Sequence, residues 1–160
     1  MEMVPIGRIH TPFQSKSDTP IQPFRSGAVG RVEVFEQYAE GLSDTEGFSH
    51  LILLYSFHRS EGYQLTVKPF LDDQSRGLFA TRFPARPNQI GLSIVKLLRR
   101  EANILVTEGI DVLDGTPLLD IKPYVPDFAP AGPISIGWLD GKIAPSQQPA
   151  DQHWPPTESQ

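Results

Sequence analysis

The stretch Gly77-Leu-Phe-Ala-Thr-Arg-Phe-Pro-Ala-Arg-Pro-Asn-Gln-Ile-Gly-Leu-Ser93 sets the tightest limit on what this chain can become. Between two apolar runs it places Arg82, Arg86, Pro84, Pro87, Asn88 and a closing Gly91. Proline fixes its own φ and pushes the preceding residue towards extended conformations, so Phe83 and Arg86 are held out of α geometry. A backbone so stiffened presents guanidinium groups from fixed positions, which suits an anionic or planar ligand. A loop whose arginines merely pair with nearby acids is the competing account, and for a single loop the commoner one. A second dense stretch, Asp114-Gly-Thr-Pro-Leu-Leu-Asp-Ile-Lys-Pro-Tyr124, weighs against it.

Around these stretches the pattern reads as short strands. Val4–His10 alternates in places, with Pro5 suited to a strand start. Thr11–Gly27 contains Pro12, Pro20 and Pro23 and reads as a long loop. Ala28–Phe35 has period-two alternation, and Glu36–Gly47 is consistent with one or two helical turns. His50–His58 is a nearly continuous apolar run, which suits a strand covered on both faces, although periodicity alone leaves a buried helix open. Tyr63–Phe70 is a further short strand, and Gly91–Arg99 with Asn103–Thr107 reads as a hairpin-like pair. Ile110–Leu113 and Leu118–Ile121 flank the reversal at Asp114-Gly115, where glycine accepts positive φ. The expected fold is mainly β, a single-domain compact β-barrel with short helical additions, because a barrel hides the edges of many short strands. The domain is expected over residues 1–140, followed by a disordered, Pro-, Gln- and Ser-rich tail over 141–160.

Composition narrows the function. A chain of 160 residues that is 39% hydrophobic and 21% charged fits one soluble globular domain. No apolar run approaches membrane-spanning length and no basic-then-apolar leader opens the chain, so a cytoplasmic protein is expected. There is no cysteine, hence no disulfide, thiolate nucleophile or Cys-based zinc site. The four histidines, His10, His50, His58 and His153, have no HExxH-type spacing, and no metal is expected. No glycine-rich dinucleotide fingerprint or Walker loop is present. The net charge is −5, yet Lys68–Arg100 contains seven Lys/Arg against two Asp, giving +5 there and −10 elsewhere. Such a band can steer a polyanion to one face, or be a solvated surface balanced by acids in the fold; charge alone leaves both open.

The two dense stretches, together with Gly47-Phe-Ser-His-Leu-Ile52 and Phe57-His58, resemble the TsaA-like family of TrmO-type tRNA (adenine-N6)-methyltransferases. The resemblance runs from about Val4 to Asp127. It implies a homodimeric β-barrel that binds S-adenosylmethionine near the subunit interface and methylates the exocyclic N6 of threonylcarbamoyl-adenosine, beside the anticodon of tRNA. By motif position, the cofactor contacts fall on Pro20, Ile21, Gln22, His58, Arg59, Arg82, Leu92, Asp114, Gly115, Thr116 and Pro117. Arg86, Asn88, Asp120 and Lys122 are carried over as substrate contacts. Phe83, Ala85 and Gln89 depart from the serine, histidine and proline common in that pattern, which bears on substrate choice more than on the cofactor. A non-catalytic barrel that binds S-adenosylmethionine or RNA is the alternative.

Methyl transfer from a sulfonium is an in-line displacement governed by positioning, so neither a metal nor a protein nucleophile is required. The proton on the attacking nitrogen must go to a carboxylate, a carbonyl or water. Asp114 and Asp120 are candidates, with turn stabilisation and a salt bridge to Lys122 or an arginine as their structural alternatives. Phe13, Phe24 or Phe83 can stack on a splayed base, or lie in the core.

Overall fold

The computed structural model describes residues 1–17 and 27–143. Pro20, Ile21 and Gln22 and the chain beyond Ile143 lie outside the described residues. Eight strands follow in order among the described residues: β1 (Gly7–His10), β2 (Val29–Val34), β3 (His50–Ser56), β4 (Thr66–Val67), β5 (Arg76–Gly77), β6 (Ile90–Glu101), β7 (Ile104–Glu108) and β8 (Thr116–Pro123). Six of them close a barrel in the order β1-β2-β7-β6-β3-β8, every pairing antiparallel, while β4 and β5 form a separate two-stranded ribbon. Among the described residues the helical additions are 3₁₀ turns, the longest being Glu36–Leu42.

Inward positions alternate as a pleated strand requires. Val32 and Val34 of β2, Leu51, Leu53 and Tyr55 of β3, Val95 of β6, Leu105 of β7 and Leu118 of β8 meet Ile9 in one core. Each such aliphatic side chain contributes about 1.5–3 kcal/mol on leaving water, which is why the parity of the pattern fixes the register. Strand β6 serves two neighbours along its length, pairing with β3 over Ile90–Lys96 and with β7 over Lys96–Glu101. A register irregularity between Leu97 and Arg99 lets it bend round the barrel.

Two sequence expectations are corrected. Strand β3 is covered on one face only: its outward residues His50, Ile52, Leu54 and Ser56 are half-buried. Ile52 and Leu54 lie opposite Ile94 and Leu92 of β6, so the apolar run supplies the core on one side and an outer apolar strip on the other. Ile110–Leu113 is not a strand, although Ile110 and Val112 are buried. The alternation there comes from two side chains plugging the end of the barrel. The Asp114-Gly115 reversal therefore joins no hairpin; Gly115 has φ of 76° and its N–H donates to the Ile9 carbonyl, docking the turn on β1.

The chain past the barrel is tied back. Lys142 Nζ lies 2.6 Å from Asp72 Oδ1, and Arg76 Nε donates to the other Asp72 oxygen at 2.7 Å. These two cations hold the Asp72 carboxyl well below the usual carboxylate range, Lys142 contributing most. Both also stand against the Trp138 ring.

At Gly91 an added methyl would sit 2.8 Å from the Phe57 ring and closer still to the ring of Tyr55. Gly91→Ala is expected to lower stability by about 1–3 kcal/mol in urea unfolding, the range for overpacking a core. Gly77→Ala, which meets nothing within 4 Å, should not lower it.

Candidate active site at one barrel rim

Antiparallel closure decides which segments meet. The C-terminal ends of β1, β3 and β7 and the N-terminal ends of β2, β6 and β8 lie at the same rim, as the pairs Ile9↔Thr116, Val29↔Glu108 and Ser56↔Ile90 require. The loops leaving those ends hold His58-Arg59, the Arg82–Asn88 segment and Asp111–Pro117. Thus the two proline-containing stretches, distant in sequence, share one end of the barrel.

Cross-links knit these loops together. Phe57 N–H donates to the Gln89 carbonyl at 2.8 Å, and the Gln89 side chain donates to the Ser60 carbonyl at 2.7 Å. Arg59 donates to the Gln14 carbonyl at 3.1 Å. Asp114 N–H donates to Phe13, while Asp114 Oδ1 accepts from Thr11 N–H at 3.0 Å.

At the inner end of this rim is a buried polar chain. Tyr55 Oη lies 2.9 Å from Ser93 Oγ, and Ser93 Oγ donates to Asp111 Oδ1 at 2.6 Å. Serine has one hydroxyl hydrogen, committed to the carboxylate, so Tyr55 is the donor to serine. Burial pushes the Asp111 carboxyl up to about 6 from an ordinary 3.8; the Ser93 hydrogen bond and the charge of Arg82 pull the other way. Burial, followed by the Asp111 charge, raises the Tyr55 phenol, which stays protonated as the donor role demands. Arg82 is exposed, makes no hydrogen bond among the described residues, and reaches both groups through its charge.

The sequence-derived residues divide into three groups. His58, Arg59 and Arg82 are exposed on the loops of this rim, Arg59 also holding the Gln14 carbonyl. Burial and then the Arg59 charge lower the His58 pKa, so its ring is neutral at physiological pH. A second group is occupied by the fold itself. Arg86 donates to the Thr81 carbonyl at 2.9 Å and Phe83 at 3.2 Å and covers the Phe79 ring, bracing its own loop. The buried Thr116 hydroxyl donates to Leu113 at 2.6 Å. Pro117 pairs with Arg8 in the ladder, while exposed Asn88 gives its carbonyl to Ile90 N–H. The third group lies on the outer wall: Leu92 is 45% exposed opposite Leu54, and Asp120, also opposite Leu54, binds Lys122 at 2.7 Å.

The basic band does not form one face. Arg99 and Arg100 stand at the far end of β6, paired with Glu101 at 2.7 Å and Glu46 at 3.0 Å. Balance by neighbouring acids is the account that the structure supports for these arginines.

Sequence reading missed Tyr55, Ser93 and Asp111. The signal was parity: Tyr55 continues the inward series Leu51–Leu53, and Ser93 that of Gly91 and Val95. Asp111 was hidden between two apolar neighbours in a segment taken for a strand.

A closed antiparallel barrel with the Arg82 cation near a part-buried carboxylate is a small β-barrel class, distinct from the doubly wound nucleotide folds. The chain belongs to the tRNA-methyltransferase O family, whose N-terminal-domain model matches residues 8–129. It is 51% identical over 140 residues to a probable S-adenosyl-L-methionine-binding protein of Pyrococcus abyssi, covering 87% of this chain and 76% of that one. It is 37% identical to a tRNA (adenine(37)-N6)-methyltransferase of Mus musculus, covering 82% of this chain and 32% of the mouse protein. The crystal structure of TrmO from Pseudomonas aeruginosa superposes with a TM-score of 0.70 at 38% identity, over 86% of this chain and 62% of that one. The chain therefore spans under two thirds of the solved protein and about a third of the mouse enzyme.

The Asp111 shift has a consequence for stability. Its folded-state pKa lies above the ordinary value of 3.8, so the folded protein binds the extra proton between about pH 4 and 6. Stability should therefore fall as pH rises through that window. Asp111→Asn is expected to raise unfolding stability by on the order of 1–3 kcal/mol at pH 7.5 relative to its effect at pH 4. Equal effects at the two pH values in urea unfolding would contradict this.

Proposed function

We propose that this chain is an S-adenosylmethionine-dependent tRNA methyltransferase acting on the exocyclic N6 of the adenosine beside the anticodon, in its threonylcarbamoyl form. The observation that supports this best is the convergence of His58, Arg59, Arg82 and the Asp111–Pro117 segment at one rim. The donor set fits the cofactor. Exposed Arg82 and Arg59 suit its carboxylate, the carboxylate of Asp114 suits its cationic groups, and Phe83 and Leu92 offer apolar surface to the adenine. Pro20, Ile21, Gln22, His58, Gly115, Thr116 and Pro117 complete the proposed cofactor contacts. When bound, the cofactor supplies an activated methyl group. The protein's part is to fix the acceptor nitrogen in line with it and to exclude competing water. Neutral His58 can serve as a hydrogen-bond partner without adding charge against Arg59.

Residues 1–140 form the working unit in this reading, and cytoplasmic tRNA, met at the anticodon arm, is the partner. Arg86 shapes the substrate side through its loop, with Asn88 beside it, whereas Asp120 and Lys122 present a polar border on the outer wall. The outer apolar strip of Ile52, Leu54, Leu92 and Ile94 is the proposed homodimer contact, which would bring Leu92 of each copy to the subunit boundary. A second reading, cofactor binding without transfer, is favoured by Phe83, Ala85 and Gln89 beside the arginines.

Incubation with methyl-labelled S-adenosylmethionine and total tRNA separates the two: label on tRNA supports the enzyme, and cofactor binding without transfer supports the binding module. Arg82→Ala should weaken cofactor binding about 10–100-fold by calorimetry, the loss of one charge-assisted contact. Arg99→Ala, at the far rim, should leave it unchanged. In sedimentation the protein is expected to run as a dimer and Leu54→Lys as a folded monomer; a wild-type monomer would refute the subunit contact.

A further inference from the structure

Three aspartates lie in the segment joining β7 to β8 or in β8 itself, and the structure gives them different work. Asp114 spends Oδ1 on the Thr11 N–H at 3.0 Å, with His10 Nδ1 3.8 Å away, and so fastens the turn to β1. Asp120 caps Ile121 N–H at 2.9 Å, binds Lys122 at 2.7 Å and lies on the outer wall. Asp111 alone of the three is hydrogen-bonded to a side chain inside the barrel, that of Ser93. Among the described residues its hydrogen-bond donors are Ser93, at 2.6 Å, and its own backbone N–H. The hydrogens of Tyr55 and Ser93 both run towards Oδ1, a directional chain that holds the carboxylate in one orientation. Ile110 and Val112, both buried, anchor the backbone on either side. The groups facing Asp111 are therefore Tyr55 from β3, Ser93 from β6 and the Arg82 cation from the loop after β5.

We propose that Asp111 accepts the proton released when the adenosine nitrogen is methylated, with Tyr55 and Ser93 as the positioning residues that aim its carboxylate. The inference rests on the methyltransferase reading above. In the step, the nitrogen lone pair forms the N–C bond to the methyl group. The C–S bond breaks with its electron pair going to sulfur, leaving a neutral thioether. The N–H proton passes to the Asp111 carboxylate, which later returns it to water, so charge and atoms balance with no further reactant.

The environment suits this role. A carboxyl pushed up to about 6 is a stronger base than an exposed aspartate and is still mostly ionised at pH 7.5. Arg82 keeps that charge tolerable without pairing to it directly.

The test uses the full chain, tritiated S-adenosylmethionine and total tRNA containing threonylcarbamoyl-adenosine, in single-turnover mode. Asp111→Asn is expected to slow transfer at least about 100-fold while the cofactor Kd stays within about three-fold. The wild-type rate should rise with pH through a midpoint near 6, and carboxylate-carbon NMR of the ligand-free protein should show Asp111 titrating in the same region. Ser93→Ala keeps the carboxylate but removes its donor, so both the rate limb and the NMR titration should move to higher pH. That variant decides the matter if Asp111→Asn fails to fold. Near-wild-type transfer by Asp111→Asn, equal losses in rate and cofactor affinity, or an unmoved limb in Ser93→Ala would overturn the assignment. A wild-type protein that binds the cofactor but transfers nothing at any pH would defeat the methyltransferase reading and this inference with it. An active wild type with an equally active Asp111→Asn would defeat the inference alone.

Discussion

The pairing of β1 with both β2 and β8 is the constraint on which the rest depends. It closes the sheet, and closure of six antiparallel strands divides their ends equally between two rims. Loops that are remote in sequence then have no choice but to meet. The β3 exit, the β6 entrance and the β7–β8 crossing are brought together by register alone, before any side chain at the rim contributes. Gly7 belongs to this arrangement, because β1 there runs so close to β2 that a side chain would strike the Glu33 backbone.

Polar groups at the end of an apolar core are costly unless each finds a partner. Here Tyr55, Ser93 and Asp111 solve the problem jointly, and the arrangement leaves a charge where a purely structural interior would have none. Nearby, two arginines four residues apart along one loop are treated differently. Arg86 is folded over backbone carbonyls and gives the loop its shape; Arg82 is left facing outward. Bracing of the loop thus falls to Arg86, and the Arg82 guanidinium is not needed for it.

The barrel was legible in the sequence because period-two alternation marks β2, a hairpin-like pair marks β6 and β7, and apolar content marks β3. Less legible was which face of β3 meets water, since an apolar outer strip has the same composition as a core. The Ile110–Asp111–Val112 segment misled for a related reason: a plug and a strand produce the same alternation over three residues. The site's outline could be read from the prolines and arginines, but its interior could not. Tyr55, Ser93 and Asp111 come from three separate elements, and nothing local in the chain announces that they touch. Charge patterning was the weakest guide. Arg82 and Arg99 sit in one basic run yet at opposite rims, because a strand twelve residues long separates their ends.

The central claim is that ligand recognition occurs at the rim where the proline-containing stretches meet. Titration of the isotopically labelled protein with S-adenosylmethionine, followed through backbone amide NMR shifts, tests it most directly. The account predicts changes concentrated at His58-Arg59, Arg82–Asn88 and Asp111–Pro117, with Glu36, Arg100 and Asn103 at the other rim unmoved. Changes centred on Glu36, Arg100 and Asn103, with the first set silent, would contradict it.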